Sequence, residues 1–156
     1  MLTMSMLASE GVDIVGVIDP DAYAANTYTT APIDMSKYDR IMAICQAGDL
    51  GSSATLIAKL QHGAASNLSD AEDVTGKTAA TLTQSPDDSN KQVVINMRAD
   101  EMVGATKSFK NGTSRYARLA LVLGTATSDM SGIVLGFHAR NGAPNAGDLA
   151  AVDEII

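Results

Sequence analysis

The chain has 156 residues, 46% of them hydrophobic, which suits a single domain with one buried core and excludes a disordered segment. Aromatic residues make up 4% and Trp is absent, so the core must come from Leu, Ile, Val, Met and Ala. A formal net charge of −7, with 11 scattered Lys and Arg, excludes a binder that tracks nucleic-acid phosphates, since counterion release needs clustered cations.

In chain order, the first strand signal is "VDIVGVID" (12–19), β-branched and closed by Asp19-Pro20. The polar stretch "PDAYAANTYTTAPIDMS" (20–36) reads as a crossing strand or loop. "YDRIMAICQA" (38–47) is apolar on both faces, as expected of a strand covered on both sides. "ATLIAKLQHG" (54–63) alternates, with Leu56, Ala58 and Leu60 on one face and Ile57, Lys59 and Gln61 on the other. A short strand fits "AATLTQ" (79–84). "KQVVINMRA" (91–99) sets Val93, Ile95 and Met97 against Val94, Asn96 and Arg98. "RYARLALVLG" (115–124) points Leu119, Leu121 and Leu123 inward and Tyr116, Arg118 and Val122 outward. "SGIVLGFHA" (131–139) offers Ile133, Leu135 and Phe137 on one face.

The segments "SNLSDAEDVTG", "SPDDSN", "KNGT" and "GTATSDMSG" read as turns, and the Asn-Gly of "KNGT" favours the positive φ of a tight one. A helix is conceivable at 99–107, weakened by Gly104, or near 147–155. Strand-like runs spaced by turn chemistry predict an all-β fold, an antiparallel β-sandwich or jelly-roll-like barrel, with extended N- and C-terminal arms. Residues 1–144 are expected to form the sandwich, with an N-terminal extension over about 1–30, and 145–156 a C-terminal tail or arm.

Chemistry-bearing residues are sparse. Cys45 is the single cysteine, so no intramolecular disulfide or CxxC metal site can form, and a buried, inert thiol is expected. His62 and His138 lack metal-ligand spacing and read as surface or partly buried side chains. Asp19/Asp21, Asp87/Asp88 and Asp100/Glu101 fall in turns, without the alternating oxygen ligands and Gly of a calcium loop. Neither a nucleophile elbow, a Walker loop nor a dinucleotide fingerprint occurs. No enzyme activity, cofactor or metal is therefore expected. Apolar runs stay well short of the roughly 18 residues of a membrane span, and the N-terminus lacks the basic region of a signal peptide, so a soluble cytoplasmic product is expected.

The combination of "APIDMSKYDRIMAICQAGDLGSSATLIAKLQHG", "KQVVINMRADEM" and "SRYARLALVLGTATSDMSGIVLGFHARNGAP" resembles small tailed-bacteriophage head decoration (cement) proteins encoded near the major capsid protein. The likeness lies in an extended "D-(L/M)-S-x-(Y/F)-D" lead into a strand, an "A-T-L-x-x-K-L-Q" strand, and an "R-Y-x-R-L" strand before a small-residue turn. It covers roughly residues 31–144, in pattern more than in identity. The resemblance implies a virion structural protein, made in the bacterial host cytoplasm, that binds the outer capsid surface and stabilises the lattice. Its partners would be the major capsid protein and further copies of itself, often as trimers, with neither nucleic acid nor membrane involved. Candidate interface residues are Tyr116, Arg118 and Arg115, because Tyr and Arg are enriched where binding energy concentrates, together with the apolar ends Met1, Leu2, Ile155 and Ile156. Other readings are a different phage part (tail-tube, head-completion or fibre-associated) or a carbohydrate-binding β-sandwich. The scarcity of aromatic rings for sugar stacking weighs against the latter.

Overall fold

A computed structural model describes residues 7–140 and 152–154. A four-residue helix, α1 (Ala8–Gly11), leads into ten strands: β1 (Val12–Tyr23), β2 (Asn26–Thr29), β3 (Ile33–Asp34), β4 (Tyr38–Ala47), β5 (Thr55–Gly63), β6 (Glu72–Thr78), β7 (Leu82–Thr83), β8 (Gln92–Arg98), β9 (Tyr116–Gly124) and β10 (Ser128–Ala139). One sheet has four strands in the order β1-β10-β4-β8. The other runs β2-β9-β5-β6, with β3 also on β9 and β7 also on β5. Every pairing is antiparallel. The chain passes repeatedly from one sheet to the other, so strands distant in sequence become neighbours, in a jelly-roll-like β-sandwich.

The core lies between the inner faces. Leu56, Ala58 and Leu60 of β5 and Leu119, Leu121 and Leu123 of β9 meet Ile41, Ala43 and Cys45 of β4, Ile95 and Met97 of β8, and Val134 of β10. With few aromatics available, unbranched Met35, Met97 and Met102 fill the irregular gaps and are completely or almost completely buried.

The phase of β10 is opposite to the one its sequence suggests. Met130, Gly132, Val134 and Gly136 face inward, and Ile133, Leu135 and Phe137 lie on the outer face, only partly covered. The inner face has no room for them. A Cβ at Gly136 would sit 2.8–2.9 Å from the Tyr38 ring and 2.9 Å from Val15 Cγ1, and one at Gly132 would sit 2.8 Å from Leu119 Cδ2. Gly136 leaves room for Tyr38 and Val15 of its own sheet to fold across it, Gly132 admits Leu119 of the other sheet, and the alternation of glycines turns the large residues outward.

Other differences have local causes. "SNLSDAEDVTG" is not wholly a turn, since Glu72–Thr78 forms a strand along the sheet edge, where a polar sequence is tolerated. "GTATSDMSG" contributes Ser128–Gly132 to β10. The 20–36 stretch supplies the end of β1 and all of β2 and β3, so residues 12–29 are largely built into the two sheets. The helix conceived at 99–107 reduces to one 3-10 turn, Ala99–Glu101. Beyond it, the Glu72 carboxylate accepts the N–H groups of Thr106 and Lys107, which a helix would have used internally. Gly112 has φ +73°, as the Asn-Gly turn requires. The helix conceived near 147–155 lies almost entirely outside the described residues.

Candidate protein-binding face

The two outer faces of the sandwich differ in chemistry. On the outer face of the larger sheet, cross-strand register sets Arg118 beside Gln61 and Gln61 beside Asp73. Their side chains form a connected series. Arg118 Nε donates to Gln61 Oε1 at 2.9 Å, Gln61 Nε2 donates to Asp73 Oδ1 at 2.9 Å, and Lys59 Nζ donates to Asp73 Oδ2 at 2.9 Å. Arg115 grips Asp34 with two bonds, Nε to Oδ1 at 2.9 Å and Nη2 to Oδ2 at 2.6 Å, while its guanidinium lies 5.3 Å from the centroid of the Tyr116 ring. These Arg115 bonds, with help from Ser36, hold the Asp34 carboxyl at about 2. The sequence-nominated trio therefore shares one face: Tyr116 and Arg118 point outward from β9, and Arg115 sits just before it. Met1, Leu2, Ile155 and Ile156 lie outside the described residues.

The outer face of the four-stranded sheet is apolar. Register places Val17, Ile133, Ile44 and Val94 in one row across β1, β10, β4 and β8, and Ile14, Leu135, Met42 and Asn96 in the next. A third row holds Val12, Phe137, Arg40 and Arg98. Val94 is 53% exposed, and the others are exposed or partly buried by their cross-strand neighbours. Among the described residues no second layer of strands or helices covers this face. The β4 sequence, apolar on both sides, signals a covered strand, yet Met42 and Ile44 are left for something else to cover.

The ends of this face are charged. At the Phe137 end, Arg40 and Arg98 are direct cross-strand neighbours and line, with Phe137 and His138, a depression of about 390 Å³. Each arginine is held by one exposed carboxylate, Arg40 by Asp39 at 3.1 Å and Arg98 by Asp100 at 3.2 Å. At the other end a depression of about 590 Å³ is lined by Asp21, Asp129, Gln46, Gln92 and Ser131. Lys91 lies near it but is bound to Asp88 at 2.6 Å.

Of the remaining reactive groups, Cys45 and His62 are sealed inside. Cys45 is buried, and burial pushes its thiol up to about 11, so it is unreactive. His62 is fully buried, not a surface histidine, whereas His138 is exposed. Ser114 Oγ lies 2.7 Å from His62 Nδ1, and Glu72 Oε1 lies 3.5 Å from Nε2, which has no hydrogen-bond partner. Burial lowers the imidazole pKa, and Lys107 adds to this against the opposing pull of Glu72 and Asp70. Ser114 is 3% exposed, so Ser114, His62 and Glu72 form a structural latch under Gly104 with no access for a substrate. Among the described residues no three His, Cys, Asp or Glu side chains converge as metal ligands, and no helix is long and apolar enough to cross a membrane.

Fold and surface together define an antiparallel β-sandwich with one ion-paired and one apolar outer face. No family model matches the chain, and no curated protein matches it. Solved structures share the fold distantly. A pilus protein of Bacillus endospore appendages is 15% identical, with a TM-score of 0.40, over 88% of this chain and 100% of that one. A protein of infectious bursal disease virus, Gx strain, is 15% identical, with a TM-score of 0.44, over 81% of this chain and 32% of that one. The CBM22-1 xylan-binding domain of Paenibacillus barcinonensis Xyn10C is 10% identical, with a TM-score of 0.38, over 81% and 85%. Likenesses this low carry nothing about function.

Proposed function

We propose that this protein is a virion structural protein, a decoration or cement protein that binds the outer surface of a bacteriophage head and stabilises the capsid lattice. The observation that supports the reading best is the apolar outer face of the four-stranded sheet. A soluble molecule working alone has little use for such a face, whereas an assembly component has one. The opposite face has the rigidity a docking surface needs. Arg118, Gln61, Asp73 and Lys59 hold one another in place, so little side-chain freedom is lost on contact. In this reading Tyr116, Arg115 and Arg118 meet the shell, and the apolar face makes protein–protein contacts that tie the lattice together. Residues 31–144, which carry the resemblance to decoration proteins, span β3 to β10.

The test is to mix the purified protein with heads that lack it, sediment them, and image the pellet by electron microscopy. Added density on the outer surface is expected. Tyr116→Ala together with Arg118→Ala is expected to weaken binding about tenfold or more, the usual effect of removing anchor residues. A head surface without added density would overturn the reading.

A further inference from the structure

We infer that residues 104–113 form an acid-released cover, clamped by Glu72 over a neutral His62 and opened when His62 takes up a proton. The cover lies at the end of the larger sheet where β5 and β6 meet, so neither outer face enters into it.

The cover is held at one point. Its residues bond mainly to one another: Gly104 N–H donates to the Lys107 carbonyl at 2.9 Å, Ser108 N–H to Thr113 Oγ1 at 3.0 Å, and Gly112 N–H to the Phe109 carbonyl at 3.1 Å. Phe109 N–H reaches back only as far as the Met102 carbonyl, at 3.0 Å. Among the described residues, every other hydrogen bond from this segment to the rest of the chain ends on the Glu72 carboxylate. It accepts Lys107 N–H at 2.7 Å, Thr106 N–H at 3.1 Å and the Thr106 hydroxyl at 2.8 Å. The Lys107 ammonium adds a long ion pair to Asp70, at 3.9 Å.

Beneath the clamp sits a group that a proton would leave unsatisfied. His62 is the register partner of Glu72 and is completely buried. An imidazolium carries an N–H on both ring nitrogens. Ser114 Oγ, 2.7 Å from Nδ1, can accept one of them, but Nε2 has no partner for the other. Glu72 Oε1 is 3.5 Å from Nε2 and already carries the Lys107 N–H. Gly104 is wedged between them, since a Cβ on it would overlap both Oε1 and Nε2. A charge-assisted bond of about 2.8 Å from His62 to Glu72 therefore needs Gly104 to move out and Oε1 to leave Lys107. The clamp can hold the cover or the imidazolium, not both.

The charged groups facing His62 are Glu72 on β6, Asp70 just before it and Lys107 on the cover, while β9 brings only Ala117 opposite. Burial disfavours the charged ring more than the two carboxylates favour it. Opening admits water and restores an ordinary imidazole, so a proton binds the open form more readily and acid favours opening. With an open-form pKa of about 6.5, the ratio of open to closed rises by up to about thirtyfold at pH 5. Glu72 stays ionised in this range: burial pushes its carboxyl up, but the bonds from Thr106 and Lys107 outweigh that and hold it below the ordinary value. Opening also lifts the half-buried Phe109 off the core, so acid exposes an apolar ring that neutral pH hides.

The experiment is amide hydrogen exchange of the full chain, read by NMR from pH 7.5 to pH 5 and corrected for the intrinsic pH dependence of exchange. Thr106 and Lys107, whose N–H groups Glu72 accepts, are expected to lose protection tenfold or more. Their exchange is expected to be insensitive to low urea, the mark of a local opening, and faster than that of Leu121 in β9 at every pH. The ring nitrogens of His62 should take up their proton over the same range. His62→Gln should remove the pH dependence, and Glu72→Gln should lower protection at every pH. The wild-type measurements decide the matter even where a variant fails to fold. Protection that holds or rises in acid, exchange of Thr106 and Lys107 only through urea-sensitive unfolding of the whole molecule, opening that precedes protonation of His62, or an acid response that persists in His62→Gln would overturn the inference.

Discussion

Replacing Gly136 by Ala tests the packing that turns the large residues of β10 outward. The new methyl would lie 2.8 Å from Tyr38 Cδ1, 2.9 Å from Cε1 and 2.9 Å from Val15 Cγ1, closer than real Cβ atoms come. Neither neighbour can yield easily. Tyr38 is 2% exposed and its hydroxyl is fixed at 3.0 Å from the buried Asp13 carboxylate, while Val15 is β-branched and 8% exposed. Overpacking of this kind costs about 1–3 kcal/mol, and the lower chain entropy of Ala in the unfolded state returns about 0.4–1 kcal/mol. The middles of these ranges, about 2 and about 0.7 kcal/mol, leave a net loss of about 1 kcal/mol. Gly132→Ala is expected to cost less, since its nearest contact is the free methyl Cδ2 of Leu119. Urea unfolding followed by circular dichroism measures both. Equal or greater stability of Gly136→Ala would refute the reasoning, because it would mean that the inner face of β10 has space and that something other than crowding sets its phase.

Two electrostatic predictions follow. His62 is held neutral by burial, so its folded pKa lies below the ordinary 6.5 and the unfolded chain binds the extra proton first. Its share of stability is complete above pH 6.5 and falls as pH drops from there through the folded pKa; the urea midpoint should show this slope, and His62→Gln should flatten it. Asp34 is the opposite case: its folded carboxyl is at about 2 against the ordinary 3.8, so its contribution is present above pH 3.8 and is lost as pH falls toward 2. With Arg115 about half exposed, solvent screening limits the loss in Asp34→Asn to about 0.5–1 kcal/mol near neutral pH, with no difference from wild type near pH 2. A larger acid-side difference than neutral-side difference would contradict the assignment.

The strands were legible wherever alternation was clean. In β5, β8 and β9 the residues that alternate in the sequence are the ones that alternate between core and surface, and the outward phase of Tyr116, Arg118 and Val122 followed from it. Alternation divides a strand into two faces without saying which one is inside, and β10 shows the consequence. Ile133, Leu135 and Phe137 outweigh Met130, Gly132, Val134 and Gly136 in hydrophobicity, yet the inner face is decided by the volume already taken by Tyr38, Leu119 and Leu121. β6 was hidden for another reason: Gly76 takes φ +74° and the segment is mostly polar, which an edge strand with one free side permits. The apolar face could not be found from any one strand, because it appears only when the registers of four strands are known. Its one local sign was β4, apolar on both sides. The burial of His62 had no sign at all, since its cover comes from Ser114 and the Gly104 region, far along the chain.

The edges of the sheets, as well as their faces, limit which contacts the chain can make with other molecules. Exposed strand edges invite pairing with a neighbour's backbone, but here the edges of the four-stranded sheet resist it. On β8, Lys77 Nζ occupies the outward carbonyl of Asn96 at 2.7 Å and is fixed there by Glu101 at 3.2 Å, with β6 of the other sheet alongside. On β1, register shifts between Ile14 and Gly16 and between Ile18 and Asp21 break the row of donors and acceptors, and Pro20 removes one donor altogether. On the larger sheet, β2 and β3 are four and two residues long, and Pro32 lies between them. Continuous strand addition is thus blocked at these edges, while the outer face between β1 and β8 is left apolar and open. An edge left free would let strands add without limit, and these features prevent that.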